Sequence, residues 1–360
     1  MTSVDTETAK SGDTATATAR GAGGRAHTTL RRTLTVCLSL AVALLCVALG
    51  AALIGGERLP VGGALCAIFG GGGGGRCGLT PEQQAILLDL RLPRILLAAS
   101  VGASLAAAGA GYQALLRNPL AEPYLLGISN GAAVGTMIAL VFLGSQAWAR
   151  SLMAFAGALG STFIVYRLAR GRTGASPERL ILAGVIVTTF LSSAIVFITT
   201  MMDATRIRSF NFWLLGDLSG STSGLLTVGV VAALGGTTVL AMHGRALNLM
   251  MLGERDAFDL GVETERVRLI VFLAASLLVG ASVASSGSVG YVGLVVPHLV
   301  RLSVGSDNRT TIPAAALAGA LFVIVADTAA RTIIAPRELP VGAITALIGA
   351  PLFVYLLRRG

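Results

Sequence analysis

An all-α polytopic membrane protein, with about ten transmembrane helices and an inverted internal repeat, is the fold this sequence predicts. Three observations carry that expectation. The 360 residues are 54% hydrophobic and only 12% charged, whereas soluble domains carry about 25% charged residues. The 46 glycines suit helices that pack closely in lipid. The net charge of +9 comes mostly from arginines in short clusters between apolar runs, the pattern of the positive-inside rule. A nucleic-acid surface needs a continuous basic patch, and none is present, so no nucleic acid is expected as a partner.

The elements follow in order. Residues 1–28 are rich in Thr, Ala, Gly and Ser without apolar periodicity, and are expected to form a disordered cytoplasmic tail. Residues 29–360 form the membrane domain. Its first apolar run, 33–55, is too long for the core of a signal peptide and lacks a cleavage site. It reads as a transmembrane helix, and Arg20, Arg25, Arg31 and Arg32 before it place the N-terminus inside. An external loop, 56–92, contains the run Gly70 to Gly75, whose ordering entropy opposes a helix. Within that loop Thr80-Pro81-Glu82-Gln83 opens a short helix, with Thr80 as cap and Pro81 at the first position. Cys66 and Cys77 flank the glycine run. An outside compartment permits a disulfide there, but spacing alone fixes no geometry. Cys37 and Cys46 lie in the first apolar run. Without a CxxC motif or a neighbouring His, no metal ligand set is legible and no cofactor is expected.

Nine further spans are expected near 93–115, 122–144, 148–169, 178–202, 224–243, 267–286, 291–304, 311–333 and 341–358. Ten spans bring the C-terminus inside. The inside loops then hold Arg117, Arg167, Arg170, Arg172, Arg179, Arg245, Arg255, Arg266, Arg268, Arg301 and Arg309, and the tail holds Arg358 and Arg359. Arg91, Arg94, Arg206, Arg208 and Arg331 fall outside, against the rule, and need a reason. The short span at 291–304 follows the Gly/Ser-rich break at 285–288, and a broken helix in a membrane must be covered by protein or line a cavity. Residues 97–112 read LAASVGASLAAAGAGY and residues 273–291 read LAASLLVGASVASSGSVGY. The copies lie five spans apart, so they run in opposite directions, the signature of an inverted repeat.

Several motifs carry chemistry or contacts. The turn Arg117-Asn118-Pro119-Leu120-Ala121-Glu122-Pro123 is stiffened by two prolines. It reads either as a constriction or as an ordinary tight turn. The inside segment 246–266 contains LMMLGERDAFDLG, with Glu254, Arg255, Asp256 and Asp259 on one face and Leu252, Ala257, Phe258 and Leu260 on another. Its mixed charge favours a protein partner over the membrane surface. Asp327 within an apolar span is either functional or satisfied by Arg331 four residues on. A lone His298 is more often structural than a ligand. The chain has no GxxxxGK[ST] motif for ATP and no acidic relay through its spans, so energy must come from elsewhere.

These residues together resemble the FecCD-type permeases, the vitamin B12 and iron–siderophore import subunits of ABC transporters. The resemblance rests on Arg91-Leu92-Pro93-Arg94, the 117–123 turn with Leu126-Gly127, residues 290–298, Asp307-Asn308-Arg309, Ala326-Asp327 and Glu338-Leu339-Pro340-Val341-Gly342. It implies a non-catalytic permease in the cytoplasmic membrane. Its partners are two ATPase subunits, a second permease subunit, identical or related, membrane lipid, and an extracytoplasmic substrate-binding protein. The resemblance assigns docking of that binding protein to Arg91, Arg94 and Arg331, the inner gate to Asn118 and Leu120, and ATPase coupling to Gly253, Glu254, Asp256, Leu260 and Gly261. An iron(III)–siderophore is the expected cargo, with cobalamin or haem as the alternative. A self-contained secondary transporter is the competing class.

Overall fold

The computed structural model describes residues 11–359 apart from 56, 58, 71–76, 144–145, 172–173 and 221–222. Most of the glycine run and the first ten residues therefore lie outside the described residues.

The chain begins with α1 (Ser11–Leu53). Its apolar part, Leu30–Leu53, matches the first expected span. The helix starts well before it, so residues 11–28 are helical where disorder was expected. Once a helix exists, each added residue gains a hydrogen bond without a new nucleation cost, and the Ala-rich segment extends it. A short α2 (Val61–Phe69) follows in the external loop, and Cys66 is bonded to Cys77 across a Cα–Cα distance of 5.5 Å. Then α3 (Pro81–Ala85) opens with the expected capping box between Thr80 and Gln83. It passes through a π-helical turn, Ile86–Arg91, into α4 (Leu92–Leu115).

The expected span at 122–144 is shorter than anticipated. A 3-10 turn occupies Pro123–Leu126, and α5 runs only over Ile128–Phe142. Pro119 and Pro123 restrict the backbone before them, and Gly127 adopts a left-handed φ of 76°, so the helix cannot start earlier. Next come α6 (Ala147–Ala169), a two-residue β-pair and α7 (Pro177–Thr199). An unexpected α8 (Ala204–Leu214) is capped by Asp203. The rest is α9 (Ser223–Met242), α10 (Gly244–Leu252), α11 (Glu254–Asp259), α12 (Thr264–Ser286), α13 (Val292–Val304), α14 (Asn308–Thr332) and α15 (Val341–Arg359). Among the described residues, seven helices are long and apolar enough to cross a membrane, and α5, α13 and α15 are shorter apolar helices. These make up the ten spans.

The two repeat copies, α4 and α12, are the most buried spans. They run antiparallel. The C-terminal end of α4 meets the segment before α12 through Arg117 and Glu254. The N-terminal end of α4 lies at the end where Ser286 receives the Asp217 N–H. Tyr112 and Ser276 join the two helices through their hydroxyls at 2.5 Å, and the rings of Tyr112 and Phe272 meet edge to face.

Against α4 also lies α14, at backbone contact. A Cβ at Gly102 would collide with the Gly319 carbonyl oxygen, and a Cβ at Gly319 with that of Gly102. Small residues permit this approach, which in lipid supplies the van der Waals attraction that water expulsion cannot. About two turns further along the same face of α4, Gly109 sits against the Gly293 carbonyl at the start of α13.

Candidate functional site

The chemistry-bearing residues gather at the two ends of the bundle and at a break between them.

At the disulfide end, the π-helical turn rotates Arg91 inward. Its guanidinium donates to the carbonyl oxygens of Ala52 at 2.8 Å and Glu57 at 2.6 Å, so it caps the C-terminus of α1, where carbonyls lack helical partners. One turn on, Arg94 reaches α14. It pairs with Asp327 at 2.9 Å and with Glu338 at 2.8 Å. Asp327 is only 1% exposed and is held from the other side by Arg331 at 3.1 Å. The local pair with Arg331 is thus present, but the carboxylate also ties α14 to α4. Arg91, Arg94 and Arg331 converge on one cleft of about 400 Å³ with Glu57 and Glu338. All three direct their donors largely within the chain. Arg337, immediately before Glu338, is exposed.

Between the ends, the 3-10 turn packs on the break between α12 and α13. The Tyr124 hydroxyl receives the Val289 N–H and donates to the Val289 carbonyl, both at 3.0 Å. The Glu122 carboxylate accepts the Tyr291 N–H at 3.2 Å, and Pro123 packs on Gly293. Non-helical backbone inside a membrane domain is thereby covered and bonded, as burial demands. One further bond was not legible in the sequence. Pro297 has no N–H to give the Gly293 carbonyl four residues earlier. The buried Gln113 side chain of α4 donates to Gly293 and Leu294 carbonyls at 3.4 and 3.2 Å instead.

At the opposite end, two helices close in the same way. After α4, Arg117 N–H donates to Ala114 O and Asn118 N–H to Gln113 O. After α11, Gly261 N–H donates to Phe258 O and Val262 N–H to Ala257 O. Both are Schellman closures, which need a left-handed residue just past the helix. Gly261 supplies it at φ 82°, but at α4 the position is held by Arg117 at φ 50°. The Asn118 side chain then accepts the Leu120 N–H at 2.9 Å, so the turn is an Asx turn, and Leu120 is exposed.

Glu254 at the start of α11 joins these parts. It pairs with Arg117 at 3.2 Å and with Arg268 of α12 at 2.6 Å. Arg268 is 3% exposed and also meets Glu265. Gly253 makes the sharp entry to α11. Asp256 receives the Leu260 N–H on its backbone carbonyl. The apolar side chains of Leu252, Phe258 and Leu260 face outward, while Ala257 is buried. The expected gate pair and the expected coupling residues are therefore adjacent at this end, and the docking arginines are gathered at the other.

An all-helical bundle of span-length apolar helices with a buried ionic cluster at each end is built as a polytopic membrane protein. Residues 33–359 match the FecCD transport family, and the chain belongs to that family. It is 42% identical over 281 residues to the cobalamin import system permease protein BtuC of Halobacterium salinarum, covering 78% of this chain and 75% of that one. It is 41% identical over 279 residues to the hemin transport system permease protein HmuU of Yersinia pestis, covering 76% and 83%. A solved structure described as an inward-facing conformation of a metal-chelate type ABC transporter superposes with a TM-score of 0.80 at 31% identity, covering 91% of this chain and 99% of that one. The chain is the non-catalytic permease subunit of an ABC transporter.

Proposed function

We propose that the cargo is a metal tetrapyrrole, cobalamin or haem. The similarity to cobalamin and hemin permeases at 42% and 41% identity carries this reading. It replaces the iron–siderophore expected from the sequence, because both of these permeases are named for a tetrapyrrole cargo. Uptake of radiolabelled cobalamin, haem and ferric siderophores in cells with and without the gene tests it. Dependence of cobalamin or haem uptake alone supports it, and dependence of a siderophore alone restores the earlier expectation.

The disulfide end faces outward in this proposal, and the Glu254 end, rich in arginine, faces the cytoplasm with both termini. A substrate-binding protein presents a carboxylate to the cleft that Arg91, Arg94 and Arg331 line, where opposite charge sets register. Two ATPase subunits seat on α11 and its flanks, which offer Leu252, Phe258 and Leu260 as exposed apolar contacts and Gly253, Glu254, Asp256 and Gly261 as the frame. A second permease subunit completes the pathway. When ATP closes the ATPase pair, α11 moves, Glu254 carries the movement to Arg117, and the turn of Asn118 and Leu120 opens or shuts the inner mouth.

A further inference from the structure

We propose an anionic-phospholipid site in the groove between α1 and α9, floored by α4 and α14. The groove has a volume of about 740 Å³ and is lined by Leu44, Ala103, Leu234, Met242 and Ala316, among others. Along α9 it extends from Val230 to Met242, about 18 Å of helix, close to the depth of about 15 Å that one leaflet of a bilayer core offers. Leu234 and Met242 are exposed, so the groove opens sideways to lipid. Its dimensions and lining fit an acyl chain.

The charge at one mouth selects the headgroup. Cys37, in the lining, lies less than two turns from Arg31 and Arg32. The Thr33 hydroxyl touches that of Thr310, which places this end of α1 beside the start of α14. Gly244 packs on the backbone of Arg309, which brings Arg245 to the same place, three residues after the lining residue Met242. Arg309 is committed to Asp307 at 2.7 Å. Arg31, Arg32 and Arg245 are exposed, and none of them forms an ion pair among the described residues. An apolar slot one leaflet deep beneath three unpaired guanidinium groups is the recognition pattern for an acidic headgroup with its chain inserted between helices. The inference does not depend on the transported cargo.

The test uses the purified full-length chain in detergent, with equimolar phosphatidylglycerol and phosphatidylcholine added. Retained lipid is read by native mass spectrometry. The expected result is at least a fivefold excess of phosphatidylglycerol on the wild type. Replacing Arg31, Arg32 and Arg245 together with Ala removes the excess, and Leu234→Trp, which narrows the groove from an exposed wall, lowers retention of both lipids. Equal retention by the wild type overturns the site. So does phosphatidylglycerol retention that Leu234→Trp leaves undiminished, which puts the lipid on the basic surface alone. A dimer that Leu234→Trp dissociates, with lipid unchanged, gives the groove to a second copy and also overturns it.

Discussion

Arg117 holds the left-handed position that ends α4, and from there its guanidinium reaches Glu254 of α11 at 3.2 Å. A non-glycine residue in that conformation costs roughly 1–2 kcal/mol, which glycine avoids. The substitution Arg117→Gly therefore separates two roles. Stability changes by no more than about 1 kcal/mol, because relief of strain offsets added freedom of the unfolded chain. Transport-coupled ATP hydrolysis falls about tenfold, within the range of ordinary coupling energies. Thermal melting and ATPase stimulation of the assembled transporter check the two halves. Unchanged stimulation would sink the link between α11 and the turn.

Removing the anion at the other end has the opposite profile. Asp327→Ala leaves Arg94 and Arg331 facing one another, with only the exposed Glu338 carboxylate as counter-charge. Loss of one partner from a buried ion pair costs about 3–5 kcal/mol. The melting temperature in micelles should drop sharply whether or not a binding protein is present. Reversing Arg91, Arg94 and Arg331 to Glu breaks the same lock, so loss of transport in that variant reports the fold before it reports docking.

Gln113 and Pro297 form a testable pair. Gln113→Leu leaves the Gly293 carbonyl without a donor, at a cost of about 1–3 kcal/mol. In a Pro297→Ala background the helix supplies its own N–H, and the cost of Gln113→Leu should fall below about 1 kcal/mol. A double-mutant cycle on chemical denaturation measures the difference. Additive effects would show that the side chain does not serve the proline.

Asp307 makes stability depend on pH. Partial burial pushes its carboxyl up, but hydrogen bonds from Arg309 and Asn248 outweigh that and hold it below the usual 3.8. A carboxyl lowered in the folded state stabilises above its unfolded value, and the gain is lost as pH falls through the folded value. Asp307→Asn keeps the helix cap but removes the charge. It should be less stable than wild type at pH 7 by about 1 kcal/mol or less, and the gap should close below pH ~3.8. A gap constant over that range in thermal melts would rule out the carboxylate as its source.

The spans were legible because charge depletion and apolar run length report directly on a bilayer. The repeat was legible because α4 and α12 share LAAS and VGAS in order. What the sequence hid are contacts between distant segments. Asp327 suggested its neighbour Arg331, but nothing in the pattern pointed to Arg94, which lies on another helix. Arg91 read as a surface charge until the π-helical turn faced it toward α1. Helix α8 was absent from the sequence reading although Asp203 is a good cap, because its mixed composition has no span-length apolar run. Glu254 was expected to touch a partner, and within the chain it pairs with Arg268 and Arg117.

The mutual approach of Gly102 and Gly319 has a mechanical consequence. Backbones already in contact cannot close further, and separating them would forfeit contacts that bilayer lipid does not replace as well. The α4–α14 pair, clamped again at one end by Arg94 and Asp327, therefore acts as a strut during the cycle. In the proposed cycle the cargo path therefore lies elsewhere. The movement proposed for the inner mouth falls instead to the short broken segments around residues 117–127 and 287–291, where the backbone is held by individual hydrogen bonds.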